Sequence, residues 1–118
     1  MDKVKLFGLG NALVDLEYVV TEEELAALDL EKGLMTLIDE SRNQELSESS
    51  VAIHKQAGGG SAANTLYGFS QLGGKGYYSC KVANDKNGEV FIEDLRKEGI
   101  NHPYGESLSS YPGVTGTC

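Results

Sequence analysis

Gly58-Gly59-Gly60-Ser61-Ala62-Ala63-Asn64 is the stretch on which the reading of this chain turns, because there a polar segment gives way to an apolar-periodic helix. Three consecutive glycines leave a backbone that a ligand can approach closely and that can adopt positive φ. Ser61 reads as the N-cap, Ala62, Ala63, Leu66, Phe69 and Leu72 as the apolar side, and Gly73-Gly74 as the stop. A helix start of this kind directs backbone N–H groups and partial positive charge outward, which suits hydroxyl-rich or anionic ligands. A tight turn packed on a neighbouring strand would use the same glycines. Asn64 favours the ligand reading: it stands one helical turn past Gly60, on the side facing back toward the loop, and its amide donates and accepts at once.

Upstream, Val4, Leu6, Phe7 and Leu9 predict a strand over 3–9 that ends in Gly8-Leu9-Gly10. This is no dinucleotide fingerprint, since Leu13 occupies the third glycine's place and the following 13–20 is rich in strand formers. Asn11 and Asp15 are polar residues four apart in an otherwise apolar stretch, Ala12, Leu13, Val14 and Leu16. A carboxylate there needs partners; a vicinal diol would supply two donors, and a capping or turn role is the alternative. Thr21 with Glu24 forms a capping box for a short helix to about Leu28. Residues 33–39 alternate well enough for a strand, Asp39 or Ser41 can cap a polar helix through Ser47, and 51–56 carries a weaker strand pattern.

Downstream, 76–82 reads as a strand, and Asp85 caps a helix over 86–98 whose apolar side is Val90, Phe91, Ile92 and Leu95 and whose stop is Gly99. Residues 100–104 lead into a further strand. Beyond them 107–118 is turn-rich, with an unfinished strand at 114–118. Strand and helix alternating through short connections predict an α/β fold with a parallel sheet and right-handed crossovers.

The chain has 118 residues, enough for one small domain with a modest core. Its 18 acidic against 10 basic residues give a formal net charge of -8, which argues against nucleic acid as a partner. The acidic residues, among them Glu22 to Glu24, Glu45, Glu48, Glu93 and Asp94, read as solvated helix faces. No stretch approaches the roughly 18 to 20 apolar residues that span a bilayer, so no membrane partner is expected. No basic-then-apolar leader opens the chain, and the simplest location is the cytoplasm. Cys80 and Cys118 make no disulfide framework, and neither has metal-ligand spacing with His54 or His102, so reduced thiols and no metal site are expected.

Gly59-Gly60-Ser61-Ala62-Ala63-Asn64, then Gly73, Lys81-Val82-Ala83-Asn84-Asp85 and Gly88, together resemble the first signature region of the ribokinase/PfkB family of carbohydrate and nucleoside kinases, with an adenosine-kinase-like cast. Gly10, Asn11 and Asp15 match its Gly-Asn-x-x-x-Asp stretch; Leu66 and Ala83 depart from its usual small residue and glycine. The resemblance implies a ribokinase-like three-layer α/β sandwich. This chain would contribute the N-terminal part of a mostly parallel central sheet and, from about 11–20, 33–38 and 110–118, strands of a small β lid. It also implies transfer of the ATP γ-phosphoryl group, with Mg2+, to a primary hydroxyl of a sugar or nucleoside.

On the same resemblance Asn11 and Asp15 hold acceptor hydroxyls, Gly59, Gly60 and Ser61 offer close backbone approach, and Asn64 takes a further hydroxyl. Met35 and Leu37 either face the acceptor from the lid or pack in the core. Lys81, Asn84 and Asp85 border the site, Asp85 chiefly as a cap. The family's base and anion hole lie in a D-T-x-G-A-G-D-like motif that this sequence lacks, so no catalytic residue is assigned within it. The expectation is an acceptor-binding portion that is inactive alone. A stand-alone ribose- or nucleoside-binding module, or a fragment whose open sheet edges pair two copies into a homodimer, are the other readings.

Overall fold

The computed structural model describes residues 3–49, 51–105 and 112–118. Its elements in chain order are β1 (Leu6–Leu9), β2 (Leu13–Tyr18), α1 (Glu22–Ala27), α2 (Glu40–Ser47), β3 (Ile53–Gly59), α3 (Ser61–Gln71), β4 (Gly76–Ser79), α4 (Lys86–Lys97) and β5 (Gly116–Thr117). They divide between two compact units, Met1–Leu16 with Lys55–Cys118, and Glu17–His54.

In the larger unit β1 and β4 pair in parallel, Leu6 opposite Gly76 through Leu9 opposite Ser79. The expected α/β parallel pairing is therefore present. Residues one apart on these strands point to opposite faces. Tyr78 is fully buried, whereas Phe7 is exposed and stacks on Tyr77 at 5.3 Å. A second sheet has the order β3-β2-β5, with β2 parallel to β5. Val14 of β2, Ala63 and Leu66 of α3, Tyr78 of β4 and Phe91, Ile92 and Leu95 of α4 share one core. Leu66 is 1% exposed and closes on Gly8 and Gly76, each of which lacks room for a Cβ.

The helix ends follow local chemistry. Thr21 and Glu24 form the reciprocal capping box, with Thr21 N donating to Glu24 Oε2 at 2.7 Å and Glu24 N to Thr21 Oγ1 at 3.2 Å. Asp39 caps α2 by accepting from Arg42 N at 2.8 Å, and Asp85 caps α4 by accepting from Gly88 N at 2.7 Å. Gly73 and Gly99 end α3 and α4 with φ of 87° and 68°.

Several expectations are corrected. The N-cap of α3 is Gly60, not Ser61, which is the first helical residue; Gly60 takes φ 95° and ψ 147°, a conformation that L side chains rarely adopt. Leu72 is not on the apolar side of that helix but follows its last turn, 90% exposed. Residues 33–39 form no strand; a strand needs a hydrogen-bonding neighbour, and none among the described residues pairs with this run. Met35 and Leu37 are accordingly 89% and 90% exposed, not core residues. The strand expected over 76–82 ends at Ser79, and within 100–104, expected to lead into a further strand, Asn101 makes one parallel bridge with Tyr77. The unfinished strand near the end is Gly116–Thr117; the part of the 107–118 turn region and of the 110–118 lid segment that falls on 107–111 lies outside the described residues.

The smaller unit carries α1 and α2, neither with a fully buried residue. Its apolar side chains, including Leu25, Leu28, Leu46 and Val51, surround a cavity of about 230 Å³. Arg42 donates to the carbonyl of Leu28 just past α1 and pairs with Glu45 at 2.8 Å. Among the described residues no helix is long and apolar enough to cross a membrane.

Candidate acceptor site

The loop after β1 and the start of α3 meet in a cleft of about 200 Å³ lined by Gly10, Asn11, Leu13, Gly60, Ser61 and Tyr78, among others. Local sequence explains the encounter. β1 ends at Leu9, and the amide of Gly10 donates to Ser79 O at 3.2 Å, so the chain turns away from the sheet while still tied to β4. On the other side β3 runs straight into α3 through Gly60, with no side chain capping the helix. The first turn of α3 therefore presents main-chain N–H groups without a competing side-chain acceptor, in the orientation that favours anions and hydroxyl oxygens.

Asp15 lies on the same face of β2 as Leu13, two residues away, while Val14 between them is fully buried. Its carboxylate rests directly on Gly59: a Cβ at that glycine would stand 2.2 Å from Asp15 Oδ2 and 2.7 Å from Cγ. Only a residue without a side chain permits that approach, which gives Gly59 a specific role beside the conformational one of Gly60. Among the described residues no hydrogen bond or ion pair engages the Asp15 carboxylate. A partly buried carboxylate can accept from donors it meets there.

Asn11 and Ser61 thus sit at one cleft, with Gly60 between them, and Asp15 packs on Gly59 beside it. Asn64 is exposed on α3, one turn on, its amide donating to Gly60 O at 2.9 Å; its side chain is not part of the cleft wall. Met35 and Leu37 belong to the smaller unit. Asp85 is a structural group, as its capping role suggests, and does more than cap: it accepts from Thr115 N and Thr115 Oγ1, each at 2.7 Å, while Thr115 Oγ1 accepts from Ala83 N at 3.0 Å. Burial raises the Asp85 carboxyl, but the hydrogen bonds from Thr115 and Gly88 outweigh it and hold the group below the usual carboxylate value.

Sequence reasoning missed two residues. Asp94, taken for part of a solvated face, accepts the amide of Gly58 at 2.7 Å and so ties the glycine run to α4. Tyr78, read only as a strand residue, donates its hydroxyl to Asn11 O at 2.7 Å from a fully buried position. The available signal was a tyrosine on the inward face of a buried strand, whose polar tip has to find a partner.

A larger cleft of about 350 Å³ runs along α4, lined by Gln56, Glu89, Glu93 and Lys97 among others. Its walls are mostly the charged face of α4, with Gln56 of β3. Among the described residues no three carboxylate, imidazole or thiol groups converge where a metal ion could sit.

The model of the pfkB family carbohydrate kinase matches residues 29–107. Adenosine kinase 2 of Arabidopsis thaliana is 28% identical over 117 residues, covering 96% of this chain and 34% of its own. The crystal structure of adenosine kinase from Sinorhizobium meliloti superposes with a TM-score of 0.70 at 33% identity, over 92% of this chain and 33% of the other. Anopheles gambiae adenosine kinase, crystallised in complex with di(adenosine) tetraphosphate, gives 0.71 at 28% identity over 95% and 34%. The chain thus spans about a third of the length of the relatives it matches.

Proposed function

Since the chain belongs to the pfkB carbohydrate kinase family and has its ribokinase-like α/β fold, we propose that it is the acceptor-binding portion of a kinase that phosphorylates a primary hydroxyl of a nucleoside or sugar. The observation that carries this reading is the meeting of Asn11, Gly60 and Ser61 around one cleft with the Asp15 carboxylate seated on Gly59 beside it. Asp15 accepts from one or two acceptor hydroxyls, Asn11 can donate and accept, and the amides at the start of α3 donate. Asn64 takes a further hydroxyl from the next turn. The names of the relatives favour a nucleoside over a free sugar.

ATP with Mg2+ would supply the phosphoryl group in such a reaction. The chain's own residues bind and orient the acceptor; none of them is assigned as the base. The volume of the cleft, about 200 Å³, is below the roughly 300–1,000 Å³ usual for enclosing pockets, in keeping with a grip on one side of the ligand.

Isothermal titration of the 118-residue chain with adenosine and with ribose tests the reading. Saturable binding that Asp15→Ala and Asn64→Ala each weaken is the expected result. Unchanged affinity in both variants would remove the site assignment, and ATP-dependent phosphorylation of adenosine by this chain alone would overturn its description as an acceptor-binding portion.

A further inference from the structure

Tyr78 carries its hydroxyl into the wall of the acceptor cleft from underneath. The residue is 0% exposed and is held on every side. Its amide donates to Asn101 O at 2.8 Å, and its ring packs at 6.0 Å from that of Phe91. From this fixed position the hydroxyl donates to the main-chain carbonyl of Asn11 at 2.7 Å. The next residue of β4, Ser79, accepts the amide of Gly10 at 3.2 Å. Two consecutive residues of one strand thus pin two consecutive residues of the loop, one through a side chain and one through the backbone.

The loop is shaped to this contact. A Cβ at Gly10 would stand 2.7 Å from the Tyr78 hydroxyl and 3.1 Å from the Cβ of Ala62, so glycine there lets the loop lie against both. Strand pairing and core filling would be served equally by phenylalanine, which has the same ring. The hydroxyl is needed only for what it touches, and it touches the backbone of Asn11, a residue that lines the cleft. Burial, with a smaller effect from Cys80, pushes the phenol above its ordinary value, so it remains a donor throughout the physiological range.

Resting on the acceptor-site reading, we infer that Tyr78 is a positioning residue for acceptor recognition, its hydroxyl holding the Gly10-Asn11 loop in the geometry that presents Asn11 to the ligand. The residue touches no reacting atom; it acts through Asn11. Removing the hydroxyl leaves the Asn11 carbonyl without its partner and frees the loop locally, while the hydrophobic contacts of the ring persist.

The test compares Tyr78→Phe with the unaltered chain by amide hydrogen exchange and by adenosine titration. Exchange at Gly10 should quicken by about tenfold relative to Ile92 and Leu95 in α4, and adenosine affinity should fall by about three- to tenfold. A uniform change in exchange across loop and helix would show a merely structural residue and overturn the inference, as would equal adenosine affinity in the two proteins. Selective quickening at Gly10 with no adenosine binding by either protein would refute the acceptor-site reading while leaving the clamp in place. Should Tyr78→Phe fail to fold, the Tyr78 hydroxyl proton of the unaltered chain decides by NMR. A slowly exchanging resonance close to Asn11 supports the clamp, and rapid averaging with solvent overturns it.

Discussion

Gly59→Ala tests the seating of Asp15 most directly. The glycine is buried, and its φ is not among the positive values, so alanine meets no backbone strain there. The obstacle is the Asp15 carboxylate, 2.2 Å from the new methyl group at Oδ2 and 2.7 Å at Cγ. Restoring van der Waals separation requires the carboxylate to move by roughly 1 Å or more. Because it is the end of a short side chain, it can turn, and the cost falls toward the lower end of overpacking, about 1–2 kcal/mol. With a urea m-value of about 1–3 kcal/mol/M, the unfolding midpoint should drop by roughly 0.5–1 M, read by far-ultraviolet circular dichroism. Asp15→Ala alone should be nearly neutral, since no partner among the described residues is lost. In the double variant the clash has no second party, so most of the cost should vanish. If the two single changes instead add to within about 0.5 kcal/mol, the carboxylate does not sit on Gly59 in solution and the reasoning fails. Adenosine binding should be weakened in all three variants, including the double one whose stability recovers.

Acid titration should reveal the Asp85–Thr115 clamp. Asp85 titrates below its unfolded value of about 3.9, so its contribution is present above that pH and is lost as pH falls through the folded value; acid unfolding followed in Asp85→Asn should lack this component, and an identical profile would refute the clamp. Leu66→Ala, which empties the space against Gly8 and Gly76, should cost about 2–5 kcal/mol in urea unfolding; a cost under about 1 kcal/mol would mean that the site collapses around the smaller residue. Burial pushes the Cys80 thiol up to about 11, so at pH 8 iodoacetamide should label exposed Cys118 well before Cys80, as mass spectrometry of the tryptic peptides would report. Equal labelling would contradict the burial.

Elements whose signals are local were legible in the sequence. Thr21 with Glu24, Asp39 and Asp85 each cap the helix their position announces, and the apolar side of α4 is buried at Phe91, Ile92 and Leu95. The glycine run was legible as a strand-to-helix turn, although the cap moved from Ser61 to Gly60 because glycine alone could take the required φ. Residues 33–39 show the limit: alternation marks a segment capable of pairing but does not supply the neighbour, and Met35 and Leu37 stand exposed. Contacts far apart in sequence left no trace either. Nothing at Asp85 announces Thr115, thirty residues on, and nothing at Asp94 announces Gly58, thirty-six residues back.

Those distant contacts have a common origin. Asn11 is held by Tyr78 of β4, and Gly58, the residue before the glycine under Asp15, is held by Asp94 of α4. β5, which pairs with β2 opposite Leu13 and Val14, follows Thr115, and Thr115 is held by Asp85 at the start of α4. The loop after β1 and the glycine run, which meet at the cleft, are thus anchored to one strand and one helix, and the same helix holds Thr115 before β5. A loop site gains precision from the rigidity of what supports it. A change in the β4–α4 pair that leaves every acceptor-facing residue intact, such as Asp94→Ala, which removes the acceptor of the Gly58 amide, should therefore loosen the glycine run and weaken adenosine binding. If Asp94→Ala binds as tightly as the unaltered chain, the glycine run holds its own shape and that anchor is dispensable.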